Sequence, residues 1–180
     1  MKTKLIAVLA LFLIAEFNIF AQVGKQFPLL EGKALDGNAI VFPLKNSNKN
    51  TLVCLVYSPK TEKALNSWLQ PLVNTFLVKN PLDPEPYDIN LYFIIMLSGI
   101  KNLASDAIET KLKKSVGKDF YKNIIIYQGS LKPYTSELDF GKRDEPYFCV
   151  IDKDGKISAS NAGTYTPEKL TEIESAVVKE

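Results

Sequence analysis

Apolar residues along this chain occur either in continuous runs or at spacings of three and four. The runs Thr51–Tyr57 and Ile89–Leu97 are dense and β-branched, which is typical of strands buried on both faces of a sheet. From residue 61 to 79 the apolar positions recur every three or four residues, which predicts a helix that buries one face. Pro71 lies inside this pattern, so we expect it to kink or split the helix.

The rest of the chain predicts further strands alternating with helices. These elements are a hairpin turning at Asp36 and Gly37, a proline-rich loop over Asn80–Pro86, a polar helix over Asn102–Val116, a strand over Asn123–Tyr127, a short helix or irregular segment over Leu131–Phe140, a strand over Tyr147–Ile151, a turn over Asp152–Gly155, a strand over Lys156–Ser160, and a helix from Pro167 to about Val178. This order predicts an α/β fold with a mixed central sheet and helices on both faces.

The N-terminus carries the features of a secretory signal. Two lysines precede the apolar run Leu5–Ala15, and Ala21 offers a small residue for cleavage. We therefore expect a signal peptide over residues 1–21 and a single domain over residues 22–180, exported to the periplasm or beyond. The alternative is a membrane anchor, but Glu16 interrupts the roughly 20 apolar residues that a spanning helix needs.

The amino-acid composition excludes several kinds of active site and argues against nucleic-acid binding. The chain has no histidine, which removes Ser-His and Cys-His nucleophile pairs and histidine-ligated metals. Arg143 is the only arginine, and the net charge is +2, so the chain lacks the basic character of a nucleic-acid binder. We expect no cofactor, no metal and no nucleic-acid partner. Membrane contact is expected only through an uncleaved N-terminal segment.

The block from Glu145 to Ile157 and the helix start at Thr166 resemble the thioredoxin-like superfamily, in particular its exported thiol–disulfide and peroxiredoxin-type members. The resemblance covers most of residues 22–180 and implies a thioredoxin-like fold. It also implies a cis peptide bond before Pro146, with the backbone beside it pairing with an extended substrate.

In those families the loop after the first core strand carries the reactive cysteine. Here that loop, Tyr57–Ala64, holds no cysteine at all. The resemblance therefore implies a redox-inactive binding or assembly protein of the cell envelope, with a protein or peptide partner held near the loop. Lys60, Glu62 and Lys63 favour a solvated first helical turn over a catalytic lysine. The candidate binding residues are Tyr57, Ser58, Pro59, Lys60, Glu145, Pro146 and Tyr147.

Two alternatives to this function stay open. One is an atypical thiol–disulfide oxidoreductase or peroxiredoxin-like enzyme that uses Cys54 or Cys149. The other is a purely structural domain of a larger envelope complex. Both cysteines lie within predicted strands among apolar neighbours, which favours two buried thiols. A cross-strand disulfide requires that the two side chains face each other, and a shift of one residue in register would place them on opposite faces.

A second resemblance is to the mitochondrial ATP synthase assembly factor family, whose members resemble non-enzymatic chaperones of a membrane complex. It rests on Phe27-Pro28, Asp36-Gly37, Thr51-Leu52-Val53, Ser67-Trp68, Pro71-Leu72 and the block Tyr147–Ile157.

Two further features have competing interpretations. Trp68, like Tyr57, lines a groove beside the loop or packs in the core. The turn Asp152–Gly155 begins like a calcium loop but lacks its later oxygen ligands, so a hairpin turn explains it better.

Overall fold

The computed structural model describes residues 22–78, 87–98 and 102–178. The predicted signal peptide and the predicted loop over residues 80–86 lie outside the described residues. Within the described ranges, no helix has the length and apolar character needed to cross a membrane.

In the described part of the chain, seven strands form one mixed sheet in the order β2-β1-β5-β4-β3-β6-β7. The strands are β1 (Leu30–Ala34), β2 (Ala39–Phe42), β3 (Thr51–Val56), β4 (Asn90–Leu97), β5 (Ile124–Gln128), β6 (Tyr147–Ile151) and β7 (Ile157–Ala162). The pairs β3–β4 and β4–β5 are parallel, whereas the other four pairs are antiparallel. The expected mixed sheet is confirmed.

Strand β3 lies inside the sheet, between β4 and β6, and all six of its residues are buried. Successive side chains point to opposite faces. Val53 and Leu55 therefore join one apolar layer, and Leu52, Cys54 and Val56 join the other. A strand covered on both sides needs apolar residues at every position, which is why its sequence is a continuous run.

Three helices pack against one face of the sheet: α1 (Glu62–Phe76), α2 (Asn102–Ser115) and α3 (Pro167–Val178). Trp68 of α1 is fully buried, its ring lies 4.3 Å from that of Phe148, and its Nε1–H donates to the carbonyl of Gly163 at 2.8 Å. Trp68 is thus a core residue and does not line a groove.

Helix α1 continues through Pro71, so the expected split does not occur. Proline removes one backbone hydrogen bond from a helix interior. Here Trp68 before the proline and Leu72 and Phe76 after it are all buried against the sheet. Their packing keeps the chain helical on both sides of the proline.

The second face carries an aromatic layer covered by the N-terminal segment 22–29 and a single helical turn, Pro133–Glu137. The backbone of this N-terminal segment is tied to the start of β7, because the N–H of Gly24 donates to the carbonyl of Ile157 at 2.8 Å. Tyr134 of the helical turn is fully buried in the layer. The expected helical cover on both faces is confirmed, with one turn rather than a long helix on this side.

Both predicted turns are confirmed. Asp36 Oδ1 accepts from the N–H of Asn38 at 3.0 Å, and Gly37 adopts a φ of 99°. At the second turn, Asp152 Oδ1 accepts from the backbone N–H groups of Asp154 at 2.9 Å and Lys156 at 2.8 Å. The Asp152 carboxylate is thus engaged by the hairpin backbone, as a turn requires.

We expect Gly32→Ala to destabilise the protein. Gly32 lies in β1, where a Cβ would collide with Cγ2 of the buried Ile125 and approach the carbonyl of Ile126 at 3.2 Å. Overpacking of this kind costs about 1–3 kcal/mol in the free energy of unfolding, measured by urea denaturation. Gly141→Ala is the matched control, because nothing lies within 4 Å of its added Cβ. Equal effects of the two substitutions would contradict the packing argument.

Candidate functional site

The loop after β3 and the start of β6 meet at the same edge of the sheet. Strands β3 and β6 are antiparallel neighbours, with Leu55 opposite Tyr147, so one strand ends where the other begins. Lys60 Nζ lies 3.4 Å from Asp144 Oδ2 and bridges the two segments. The structure therefore brings together the candidate residues Ser58, Pro59 and Lys60 with Glu145, Pro146 and Tyr147.

Local hydrogen bonds order the loop. Ser58 Oγ accepts from the N–H of Lys60 at 3.1 Å, and its carbonyl accepts from Thr61 Oγ1 at 2.7 Å. Pro59–Thr61 forms a short 3-10 turn that leads directly into α1. Thr61 is buried, whereas Pro59 and Lys60 are exposed. A shallow depression at this point is lined by Pro59, Lys60, Glu62, Lys63 and Asn66.

The isomer of the peptide bond before Pro146 differs from the expectation. Among the described residues, the one cis peptide bond joins Phe42 to Pro43, so the bond before Pro146 is trans and the cis expectation is wrong. Trans is the intrinsically favoured form. The strand start is positioned here by the N–H of Gly163, which donates to the carbonyl of Pro146 at 3.0 Å. In the described part of the chain, the backbone N–H and C=O of Glu145 make no hydrogen bond.

Tyr57 and Tyr147 form an aromatic pair beneath the loop. Their ring centroids lie 5.8 Å apart, edge to face, and Tyr147 stacks on Phe140 at 4.4 Å. Tyr57 is 8% exposed and Tyr147 is 6% exposed. The Tyr147 hydroxyl accepts from the backbone N–H of Lys142 at 2.8 Å. Both tyrosine rings are therefore core residues that support the surface above them.

The hydroxyl of Tyr57 is buried and has no hydrogen-bond partner among the described residues. Burial raises the pKa of this hydroxyl, the nearby Cys149, Tyr134 and Tyr147 raise it further, and Arg143 lowers it. A buried donor without a partner costs about 1–3 kcal/mol, and such groups are rare in native structures. This hydroxyl therefore lies within the aromatic layer, near Cys149, Tyr134 and Tyr147, at a cost in stability.

The two cysteines are free and fully buried, on opposite faces of the sheet. Cys149 pairs in register with Val53, and Cys54 pairs with Phe148, so the two thiols belong to different apolar layers. The two buried thiols that the sequence favoured are confirmed, and the alternative of a cross-strand disulfide is excluded because the register is offset by one residue.

Burial also disfavours the thiolate form of both cysteines. It raises the pKa of Cys149 to about 12, an effect that a hydrogen bond with Ser160 partly offsets. Burial raises the pKa of Cys54 as well, and the nearby Cys149 raises it further. Because the thiolate is the nucleophile in thiol exchange, neither cysteine is set up to react in the folded chain.

Residues 142–145 place four charges beside the loop. Lys142 pairs with Glu145 at 3.5 Å, and Asp144 pairs with Lys60, so three of these four charges have a partner. Arg143 is exposed and makes no ion pair or hydrogen bond within the described ranges. In the sequence, Arg143 stands out only as the single arginine, which argues against nucleic-acid binding. Its position two residues before Glu145 and three before Pro146 was the signal that could have placed it at the site.

Comparison with known proteins supports the fold. No family model matches the chain, and no curated protein matches it. A thiol:disulfide interchange protein DsbE from Chlorobium tepidum is similar in structure, with a TM-score of 0.54, 12% identity, and coverage of 86% of this chain and 97% of that one. A thio-disulfide isomerase from Thermus thermophilus has a TM-score of 0.52 and 15% identity, covering 88% and 98% of the two chains.

A third similar structure is BsSco, a member of the Sco family of cytochrome c oxidase assembly proteins. Its TM-score is 0.51, with 12% identity and coverage of 86% of this chain and 95% of that one. The chain therefore has a thioredoxin-like fold, as the first resemblance predicted. These structures do not test the resemblance to the ATP synthase assembly factor family, which stays a prediction.

We expect neither native thiol to react with a soluble thiol reagent in the folded protein, even at a pH near the ordinary thiol pKa of about 8.5. Both should react once the chain is unfolded in denaturant. Lys60→Cys is the positive control, because the Lys60 side chain is 77% exposed on the same loop. Reaction of a native thiol faster than global unfolding would contradict the buried placement of Cys54 and Cys149.

We expect Tyr57→Phe to stabilise the free protein by about 1 kcal/mol, because it removes a buried hydroxyl that has no partner. Urea denaturation measures the change in the free energy of unfolding. Tyr121→Phe is the comparison variant: it removes a hydroxyl that donates to the carbonyl of Lys113 at 2.6 Å and should destabilise by about 0.5–1.5 kcal/mol. A loss of stability in Tyr57→Phe would mean that the hydroxyl is satisfied in solution.

Proposed function

We propose that this protein is a redox-inactive binding or assembly protein that holds an extended polypeptide partner. The binding surface is formed by the loop Ser58–Lys63 and the strand start Glu145–Tyr147. The observation that carries the proposal is the unused backbone N–H and C=O of Glu145, next to Pro146 and across from the loop. In the superfamily that the sequence resembles, the backbone at this position pairs with extended substrate.

The geometry at Glu145 is suited to hydrogen bonding between its backbone and the backbone of an extended peptide. An extended peptide gains affinity from main-chain hydrogen bonds and specificity from the pockets that take its side chains. Glu145 offers one donor and one acceptor, and the nearby depression is lined in part by Lys60, which also forms the ion pair with Asp144. That bridge is exposed on both sides, so breaking it to admit a peptide costs little.

The alternative, a thiol–disulfide oxidoreductase or peroxiredoxin-like enzyme, is supported less well. Thiol chemistry in this chain would have to use Cys54 or Cys149, and both thiols are fully buried with raised pKa values. The loop that carries the nucleophile in the resembling families holds Ser58, Pro59 and Lys60 instead. No other side chain in it can form a mixed disulfide.

We also propose that the protein acts outside the cytoplasm. The support is the basic and apolar pattern of residues 1–21, which is typical of a secretory signal. N-terminal sequencing of the protein recovered from its native host is the direct measurement: a mature chain beginning at Gln22 is expected, and a chain retained in the cytoplasm with Met1 intact would contradict export.

Peptide selection tests the binding proposal. We expect the immobilised protein to enrich extended peptides from a random library, and Asn66→Trp to weaken the selected peptides by about tenfold, because the indole fills the depression beside the loop. Fluorescence anisotropy of a labelled peptide measures the affinity. Asn74→Trp is the matched control, since this exposed residue lies about two turns further along α1.

Two results would overturn the proposal. One is the failure of the library to yield any peptide above background. The other is an equal loss of affinity in Asn66→Trp and Asn74→Trp, which would place the peptide elsewhere on the surface.

A further inference from the structure

A lysine of helix α3 holds the turn that follows β7. The turn spans residues 162–165 and is here called the bridging turn. Lys169 lies in the first turn of α3 and is half-buried. Its Nζ donates to the carbonyl of Ala162 at 2.7 Å and to the carbonyl of Thr164 at 2.9 Å. One ammonium group therefore fixes the bridging turn on both sides of its central residue.

The central residue of the bridging turn, Gly163, is bonded to both halves of the binding surface. Its carbonyl accepts from Trp68 of α1 at 2.8 Å, and its N–H donates to the carbonyl of Pro146 at 3.0 Å. Its φ of 79° lies in the left-handed region that favours glycine. The next contact to α1 is made by Tyr165, whose N–H donates to Ser67 Oγ at 3.0 Å. The bridging turn thus joins the start of β6 to the helix that follows the loop.

The hydrogen bond from Gly163 to Pro146 determines the direction of the neighbouring carbonyl, that of Glu145. Successive carbonyl groups of an extended strand point to opposite edges. Because the Pro146 carbonyl points to β7, the Glu145 carbonyl points to the other side, where the loop follows β3. Strand β3 ends at Val56, and in the described part of the chain the Glu145 carbonyl accepts no hydrogen bond. The bridging turn therefore orients the acceptor that the proposed function uses.

We propose that Lys169 is a positioning residue of the peptide-binding surface, which acts through the bridging turn to orient the carbonyl of Glu145 toward the backbone of the partner. The inference rests on the proposed function, because it assigns to that surface a residue that does not touch the peptide. A Cβ built on Gly163 would lie 3.8 Å from Lys169 Nζ and 3.8 Å from Glu145 Oε2. The lysine, the bridging turn and the binding segment are thus immediate neighbours.

Loss of the Lys169 ammonium group should loosen the bridging turn without unfolding the domain. Thr164 is exposed, so a carbonyl freed from the lysine can bond to water. The buried residues of α3, Ile173 and Ala176, lie further along the helix and keep it on the sheet. Local opening costs less free energy than global unfolding. Lys169→Met therefore separates a positioning role from a role in overall stability.

The test is a double-mutant cycle between the lysine and the backbone of the peptide. A peptide selected from a random library is resynthesised with one backbone N-methyl group at each position in turn. The position at which methylation weakens binding most identifies the peptide N–H that donates to the protein. Fluorescence anisotropy then gives the affinity of the methylated and unmethylated peptides for the wild type, Lys169→Met and Lys169→Arg. Amide hydrogen exchange at Gly163, followed by NMR in the free protein, reports on the bridging turn.

Two control variants separate positioning from general effects. Gly32→Ala lowers the stability of the protein from β1, which is two strands away from β3 in the sheet. Lys153→Met makes the same charge change as Lys169→Met on the exposed turn at the far end of β6. Both variants should bind the unmethylated peptide as the wild type does.

We expect Lys169→Met to bind the unmethylated peptide about tenfold more weakly than the wild type, and its Gly163 amide to exchange faster. Methylation at the sensitive position should weaken binding to the wild type about tenfold, but binding to Lys169→Met only about twofold, because the carbonyl is no longer oriented toward the peptide. Lys169→Arg should restore the affinity to within about twofold, since a guanidinium group can also donate to two carbonyls.

Other outcomes would overturn the inference. Wild-type affinity in Lys169→Met refutes the positioning role, and a loss of affinity without faster exchange at Gly163 refutes the route through the bridging turn. An equal loss in Gly32→Ala or Lys153→Met would indicate a general effect of stability or charge. An equal effect of methylation in the wild type and Lys169→Met would show that the lysine does not act on the peptide backbone.

The proposed function is tested separately from the role of Lys169. In each of the outcomes above the proposed function stands if Asn66→Trp still weakens the selected peptide. Failure to select any peptide refutes both the function and the positioning role.

Discussion

The register between β3 and β6 is the constraint on which the site depends. Leu55 lies opposite Tyr147, so the loop after β3 meets the start of β6 at one edge of the sheet. The same register sets Cys149 opposite Val53, which sends the two thiols into different apolar layers. It also directs Tyr57 into the aromatic layer, because Tyr57 continues the alternation of Val53 and Leu55. A shift of one residue would exchange all of these faces.

Most of the fold could be predicted from the sequence because it follows from local patterns. Continuous apolar runs identified the buried strands, and turn residues such as Gly37 and Asp152 identified the hairpins. What could not be predicted depends on tertiary packing. The periodicity around Pro71 could not reveal that buried side chains on both sides would keep the helix continuous. Nor could the pattern determine how the second face is covered, since Leu131–Phe140 was compatible with either a short helix or an irregular segment, and one buried tyrosine does not decide between them.

The site could be predicted only in part, for the same reason. The two segments that meet were identified correctly, because a resemblance of order and spacing is enough to place the ends of neighbouring strands. The isomer of the peptide bond before Pro146 was not predicted correctly, and the sequence could not assign the two buried cysteines to faces of the sheet. Isomer state and register are decided by contacts between distant parts of the chain. Arg143 was missed because an exposed charge in a polar stretch carries no pattern of its own.

Because the loop contains no cysteine, the site does not need an environment that lowers the pKa of a thiol. A reactive thiol gains from the N-terminus of the following helix, which lowers its pKa. Here that end is occupied by the capped turn Pro59–Thr61, and Glu62 in the first turn complements the dipole. The backbone groups left without a hydrogen bond lie instead at Glu145, across from the loop. With no thiol to activate, the ordered loop and the unpaired backbone of Glu145 leave hydrogen bonding and charge as the interactions that this edge of the sheet can offer.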